Sequence, residues 1–166
     1  MNDNRWRNSG NNGFRRAGYQ KNAPVKQEPQ KPHVALTEDN YVDQARDAIK
    51  DLIQKSEEER GKIAIVTTSK LRNLLAMTAD IYNDVILSME EELPADVRER
   101  INYLKVRFIY ESARPGAEAV KNLVETAGIL GHIQDIRNSR KRYLLFSRYM
   151  EALVAYRKYL AGGRDE

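Results

Sequence analysis

The sequence predicts an all-α protein, a compact bundle of about five helices with a disordered N-terminal tail. From residue 34 onward, apolar residues recur at three- and four-residue spacings, as they do on the buried face of an amphipathic helix. No stretch in that region alternates apolar and polar residues as a half-buried strand does. The links between the helical segments are short, and short links favour an antiparallel bundle.

The first 36 residues are predicted to form a disordered basic tail, and residues 37–163 the helical domain. Residues 1–33 are rich in Asn, Gly, Arg, Gln and Pro, so they cannot bury enough apolar area to offset the entropy lost on ordering. Trp6, Phe14 and Tyr19 are interleaved with arginines, a combination that holds single-stranded nucleic acid weakly. A solvated tail with no specific role is the simpler interpretation.

The first helix is expected to follow Thr37, a residue type that caps helix N-termini. Its apolar positions run from 41 to 53, and Gly61 is expected to end it. The next stretch, residues 62–66, resembles a short strand but has no partner strand elsewhere in the chain. We therefore interpret it as a connector that packs on the core.

Thr67 or Thr68 is predicted to cap the second helix. Pro94 opens the third helix, because the first helical turn tolerates proline, and the run Arg114-Pro115-Gly116 ends it. The predicted apolar stripes are Leu71, Leu74, Leu75, Thr78, Ile81, Tyr82, Val85 and Met89 in the second helix, and Val97, Ile101, Leu104, Phe108 and Ile109 in the third.

The remaining helices are predicted from the same signals, apolar spacing and residues that begin or end helices. A fourth helix carries apolar residues between 120 and 127 and stops at Gly128, and a short helical turn covers about 129–137. Ser139 is predicted to cap the last and longest helix, which ends at Gly162-Gly163. Its apolar positions are Tyr143, Leu145, Phe146, Tyr149, Leu153, Tyr156 and Leu160.

Composition narrows the protein's environment and chemistry. There is no cysteine, which excludes disulfides and thiolate metal sites and fits a reducing, cytoplasmic compartment. No apolar run approaches the roughly 20 residues needed to span a bilayer. The N-terminus has no apolar segment of the kind found in secretory signals.

Few residues suit catalysis, so we expect neither an enzyme nor a bound cofactor or metal. The two histidines are His33, placed in the flexible tail, and His132, expected to be partly exposed or to cap a helix. No His, Asp or Glu spacing matches a zinc or calcium motif. The spacing of Gly128 and Gly131 matches the GxxG loop of KH domains, but a KH domain needs a sheet, so a helix end followed by a turn explains it better.

Charge is distributed unevenly along the chain. Residues 1–33 contain seven bases and two acids, residues 34–97 seven bases and fourteen acids, and residues 98–166 fourteen bases and eight acids. A basic C-terminal half suits a polyanionic partner, and an acidic middle suits a basic neighbour or solvation. One hypothesis is that the acidic first and second helices of one copy, including Asp43, Asp47 and Asp51, face the basic last helix of the next copy.

The strongest local signal is a basic cluster around the start of the last helix. Its bases at 137, 140, 141 and 148 fall within one broad sector of a helix, whereas Arg142 and Arg157 point elsewhere. Tyr143 and Tyr149 are interleaved with them and are candidates for stacking on bases. This pattern is compatible with a solvated basic face and also with a surface that contacts nucleic acid. The absence of a base-reading motif favours contact with the sugar-phosphate backbone.

Three separated segments resemble the small subunit of type III-A CRISPR effectors, the Csm complex. They are residues 66–75 (VTTSKLRNLL), 101–110 (INYLKVRFIY) and 149–156 (YMEALVAY), followed by Gly162-Gly163. The resemblance implies an all-α fold, several copies stacked as an inner filament beside larger subunits, and contact with the backbone of the guide and target RNA without sequence preference. It implies no catalytic site, since cleavage belongs to other subunits.

The predicted RNA-binding residues come from the matching segments and the basic cluster. They are Lys70, Arg72, Lys105, Arg107, Arg137, Arg140, Lys141 and Arg148. Two other functions are weighed against this one. A helical adaptor would bind only proteins and make no nucleic-acid contact, and a small metal-dependent nuclease would need a carboxylate-histidine cluster that the sequence does not suggest.

Overall fold

The computed structural model describes residues 32–161 and contains six helices over that range. They are α1 (Tyr41–Glu58), α2 (Thr68–Leu87), α3 (Ala95–Ala113), α4 (Glu118–Thr126), α5 (Ile129–Ile136) and α6 (Arg140–Ala161). These residues include no strand, only one isolated antiparallel bridge between Glu92 and Ser139. The all-α prediction is confirmed, and the count rises from about five to six because the short turn after Gly128 is a helix of its own. None of these helices combines the length and apolarity that a bilayer crossing needs.

Helix α6 lies at the centre of the bundle and packs against α1, α2 and α5. Three side chains of α6 donate hydrogen bonds to backbone carbonyls of α2 or of the connector that precedes it. These bonds are Arg140 Nε to Val85 O (3.0 Å), Tyr143 Oη to Thr78 O (2.7 Å) and Arg157 Nε to Val66 O (2.6 Å). The donors ascend in number while the acceptors descend, so α2 and α6 run antiparallel.

The helix starts show which predicted caps form. Thr67 Oγ1 accepts a hydrogen bond from the backbone N of Lys70 (3.1 Å), and Ser139 Oγ accepts one from Arg142 N (3.4 Å), so both predicted caps are confirmed. The predicted Thr37 cap is wrong. Thr37 N instead donates to Asn40 Oδ1 (2.8 Å), which makes a separate turn before α1 begins at residue 41.

The core consists largely of the predicted apolar stripes, with two corrections. Met89 is 97% exposed, because α2 ends at Leu87 and residue 89 has left the helical register. Ile109 is exposed because it lies about 100° around α3 from the fully buried Phe108. Val66, at the end of the predicted connector, is buried as expected. The tail before residue 32 and the glycines at 162 and 163 lie outside the described residues, so those predictions are not tested.

Candidate nucleic-acid interface

Four of the eight predicted RNA-binding residues form hydrogen bonds or ion pairs with other groups of the same chain. These contacts are Lys70 Nζ with Glu111 Oε2 (3.5 Å), Lys105 Nζ with Gln134 Oε1 (3.4 Å), Arg140 with the carbonyls of Val85 and Ile86 (3.0 and 3.1 Å), and Lys141 Nζ with Glu38 Oε1 (3.1 Å). Lys141 remains well exposed, and its ion pair is of the surface kind that contributes little. The contacts of Lys70, Lys105 and Arg140 each connect two neighbouring helices.

Arg140 has a structural role in addition to its positive charge. Its guanidinium donates to the carbonyls of Val85 and Ile86 in the last turn of α2. Helix C-termini carry carbonyls without intrahelical partners and a partial negative charge, which a cation stabilises. Arg140 therefore caps α2 and fixes the start of α6 against it.

The basic segment before α6 lies beside the acidic run Glu90–Glu92. Arg140 N donates to Glu91 O (3.0 Å), and Leu93 N donates to Asn138 O (2.7 Å), so the α2–α3 loop runs along this segment. The three glutamates are exposed. Their negative charge lowers the positive potential around residues 137–142, which the sequence had indicated as the strongest basic site.

The other four predicted residues are arginines that project into solvent. They are Arg72 on α2, Arg107 on α3, Arg137 between α5 and α6, and Arg148 on α6. Within the described part of the chain, none of their side chains has a hydrogen bond or an ion pair. Arg148 is about two helical turns beyond Arg140, roughly 12 Å farther along α6. These guanidiniums are the groups best placed to meet a phosphate.

The prediction that Tyr143 and Tyr149 stack on bases is wrong. Tyr143 and Tyr149 are fully buried, and burial raises the pKa of both phenols. Tyr149 Oη donates to Ala127 O (2.8 Å), so this ring packs in the core and its hydroxyl is satisfied there. Its T-shaped contact with the ring of His132, with centroids 4.9 Å apart, adds to that packing.

Exposed aromatic groups occur on α3 instead. Tyr103 and Tyr110 are each 64% exposed, and they flank Arg107 along one face of the helix. Val106 lies on the same face and is also exposed. The signal was present in the sequence, because these positions fall opposite the buried stripe that ends at Phe108.

The histidines also differ from their predictions. His132 is only 4% exposed, so the expectation of a partly exposed or capping residue is wrong. Burial, with a smaller repulsion from His33, lowers the pKa of His132 to about 4. His33 was placed in the flexible tail, yet its Nε2 lies 2.7 Å from Asp135 Oδ2 on α5. Its ring centroid is 4.8 Å from that of His132.

Comparison with known families decides what this helical scaffold is. A family model described as Csm2 type III-A matches residues 46–163, from within α1 to just beyond α6. The chain belongs to the Csm2 family. Csm2 is the small subunit of the multi-subunit type III-A Csm complex, and the resemblance found in the sequence is thereby confirmed. All eight predicted RNA-binding residues fall within the matched range.

Individual relatives give the same result. The chain is 39% identical over 127 residues to the CRISPR system Cms protein Csm2 of Mycobacterium tuberculosis, covering 76% of this chain and 96% of that protein. It is 41% identical over 130 residues to the Csm2 protein of Streptococcus thermophilus, covering 78% and 98%. For the Csm2 protein of Enterococcus italicus the values are 38% over 117 residues, covering 66% and 82%.

Proposed function

We propose that this Csm2 family member is a non-catalytic subunit that holds the sugar-phosphate backbone of the guide and target RNA without reading its sequence, in the cytoplasm. One observation carries the proposal. The arginines at 72, 107, 137 and 148 are exposed and have no partner in the described part of the chain. A guanidinium presents a planar set of donors that matches phosphate oxygens.

The placement of these arginines favours backbone contact over base recognition. They extend from α2, α3, α6 and the link between α5 and α6, and no helix or ribbon of the described residues carries a run of amide side chains suited to base edges. Tyr103 and Tyr110 beside Arg107 add stacking surfaces that accept any base. Such a surface suits a subunit that must accept every guide-target pair.

Stacking of several copies into an inner filament is the second part of the proposal. Leu87 and Met89, 82% and 97% exposed, offer apolar surface that a neighbouring subunit can cover. Asp43 and Asp47 on α1 are exposed, but Arg46 contacts both, at 2.8 and 2.9 Å. Arg46 therefore neutralises part of the negative charge on α1 within the chain itself, which leaves less charge to attract a second copy.

The triple variant Arg72→Ala, Arg107→Ala, Arg148→Ala is expected to lower the affinity of the assembled complex for target RNA about 100-fold. Each lost guanidinium–phosphate contact removes on the order of 1 kcal/mol, and the three losses add on separate helices. Filter binding or fluorescence anisotropy with a fixed RNA at constant salt measures the change. The loss is expected to be the same for unrelated guide-target sequences.

A matched control removes three positive charges elsewhere: Lys50→Ala, Lys62→Ala, Lys121→Ala. It is expected to assemble normally and to change RNA affinity less than threefold. Equal affinity of the wild type and the arginine variant would favour the competing function, a helical adaptor that contacts proteins alone. The exposed Leu87 and Met89 favour that second function, because they offer apolar surface to a protein partner.

A further inference from the structure

We propose that His33, His132 and Asp135 form a binding site for a divalent transition metal ion, with Zn²⁺ the expected ion. One ligand atom from each residue lies within 4.8 Å of the others. Zinc is commonly held by imidazole nitrogens and carboxylate oxygens at about 2.0–2.2 Å. Neighbouring ligand atoms of a tetrahedral site are therefore about 3.3 Å apart, so side-chain rotations that bring the ligand atoms closer by at most roughly 1.5 Å close the site.

His132 provides the second, independent observation. Its side chain is 4% exposed, and its Nδ1 is buried with no hydrogen-bond partner among the described residues. Buried polar atoms nearly always have a partner, so an unpartnered one calls for an explanation. A bound ion would supply the missing polar partner.

His33 is already held in an orientation that suits a ligand. Its Nε2 lies 2.7 Å from Asp135 Oδ2, so one ion bound by both atoms can take the place of this hydrogen bond. The two imidazole rings lie close together beside Gly128, because a methyl group built there would be 3.8 Å from His33 Nδ1 and 3.5 Å from His132 Nε2.

Two glycines make room for the cluster. Gly128, at φ +60°, precedes the first residue of α5, and Gly131 lies inside that helix. A methyl group on Gly131 would come within 2.8 Å of the His33 ring, closer than packing allows. The pair that resembled a GxxG loop in the sequence therefore serves to seat His33 against α5.

The site opens to a surface pocket of about 360 Å³ lined by His33, Gly131, Gln134, Asp135 and Arg137. Water from this pocket can complete the coordination shell. With two neutral imidazoles and one carboxylate, the ligands carry one negative charge, and the nearby Arg137 limits affinity by repulsion. The ion would connect the segment before α1 to α5, across 102 residues of chain from His33 to Asp135.

Titration of the untagged full-length chain with ZnCl₂, by calorimetry, tests the site. We expect one ion per chain, with His33→Ala and Gly131→Ala each weakening binding at least tenfold. Gly131→Ala keeps all three ligand residues in the sequence and suits a helix, so a loss of zinc binding would report the displacement of the His33 ring and not unfolding. Gln134→Ala, in the same pocket, is expected to bind zinc like the wild type.

Nuclear magnetic resonance supplies a second readout, because the chain contains only two histidines. Zinc is expected to shift the imidazole nitrogen resonances of both. Zinc binding that leaves either imidazole unshifted would overturn the proposal, because the ion would then be held elsewhere. Equal zinc affinity in the wild type, His33→Ala and Gly131→Ala proteins would overturn it as well.

Discussion

Phe108→Ala is expected to lower the free energy of unfolding by about 4 kcal/mol. Phe108 is fully buried on the inner face of α3, among the largest side chains of the core. Alanine removes its apolar contacts and leaves a cavity that the neighbouring helices fill only in part. Urea denaturation followed by circular dichroism measures the change as a lower midpoint with an unchanged slope.

Ile109→Ala is the matched control for this change. Ile109 is the next residue of α3 and is exposed, so its truncation is expected to change the unfolding free energy by less than about 0.5 kcal/mol. A loss at position 109 as large as the loss at 108 would contradict the orientation of α3. It would also contradict the exposure of Tyr103 and Tyr110, which depends on that orientation.

Arg157→Ala is expected to lower the free energy of unfolding by about 3 kcal/mol. Arg157 is only 7% exposed, and its Nε donates to the carbonyl of Val66, itself buried in the connector before α2. Alanine leaves that carbonyl without this donor and removes the packing of the arginine stem. The same urea experiment measures the loss.

The adjacent Lys158 supplies the control for charge. Lys158→Ala removes one positive charge from an exposed position of the same helix turn and is expected to change stability by less than about 0.5 kcal/mol. Arg157→Lys keeps the charge but cannot place a donor where Nε was, so an intermediate loss is expected. A wild-type-like Arg157→Ala protein would show that the connector does not depend on this hydrogen bond.

Local chemistry was enough to predict most of the fold. Thr67 and Ser139 cap helices because their hydroxyls accept backbone N–H groups, and Pro115 with Gly116 ends α3. The apolar spacing of α2, α3 and α6 identified most of the core. The prediction placed the cap at Thr37 too early, since residues 38–40 form a turn and α1 begins only at Tyr41.

The candidate interface was harder to predict, because a base on a helix surface becomes internal or external only when helices pair. Arg140 and Arg157 face α2 and its connector, which depends on the antiparallel packing of α2 and α6. The acidic run 90–92 is almost 50 residues from Arg140 in sequence, so its effect on the basic segment depends on the fold. His33 was assigned to the tail since its contact with Asp135 spans most of the chain.

The salt dependence of RNA binding tests the central claim most directly. Target-RNA affinity of complexes carrying the wild type or the Arg72, Arg107, Arg148 triple alanine variant would be measured over a range of salt concentrations. If the three arginines bind phosphates, the variant's plot of log K against log salt should be shallower by about 0.7 per lost contact, or about 2 in total. Parallel plots for the two complexes would contradict phosphate contact by these residues.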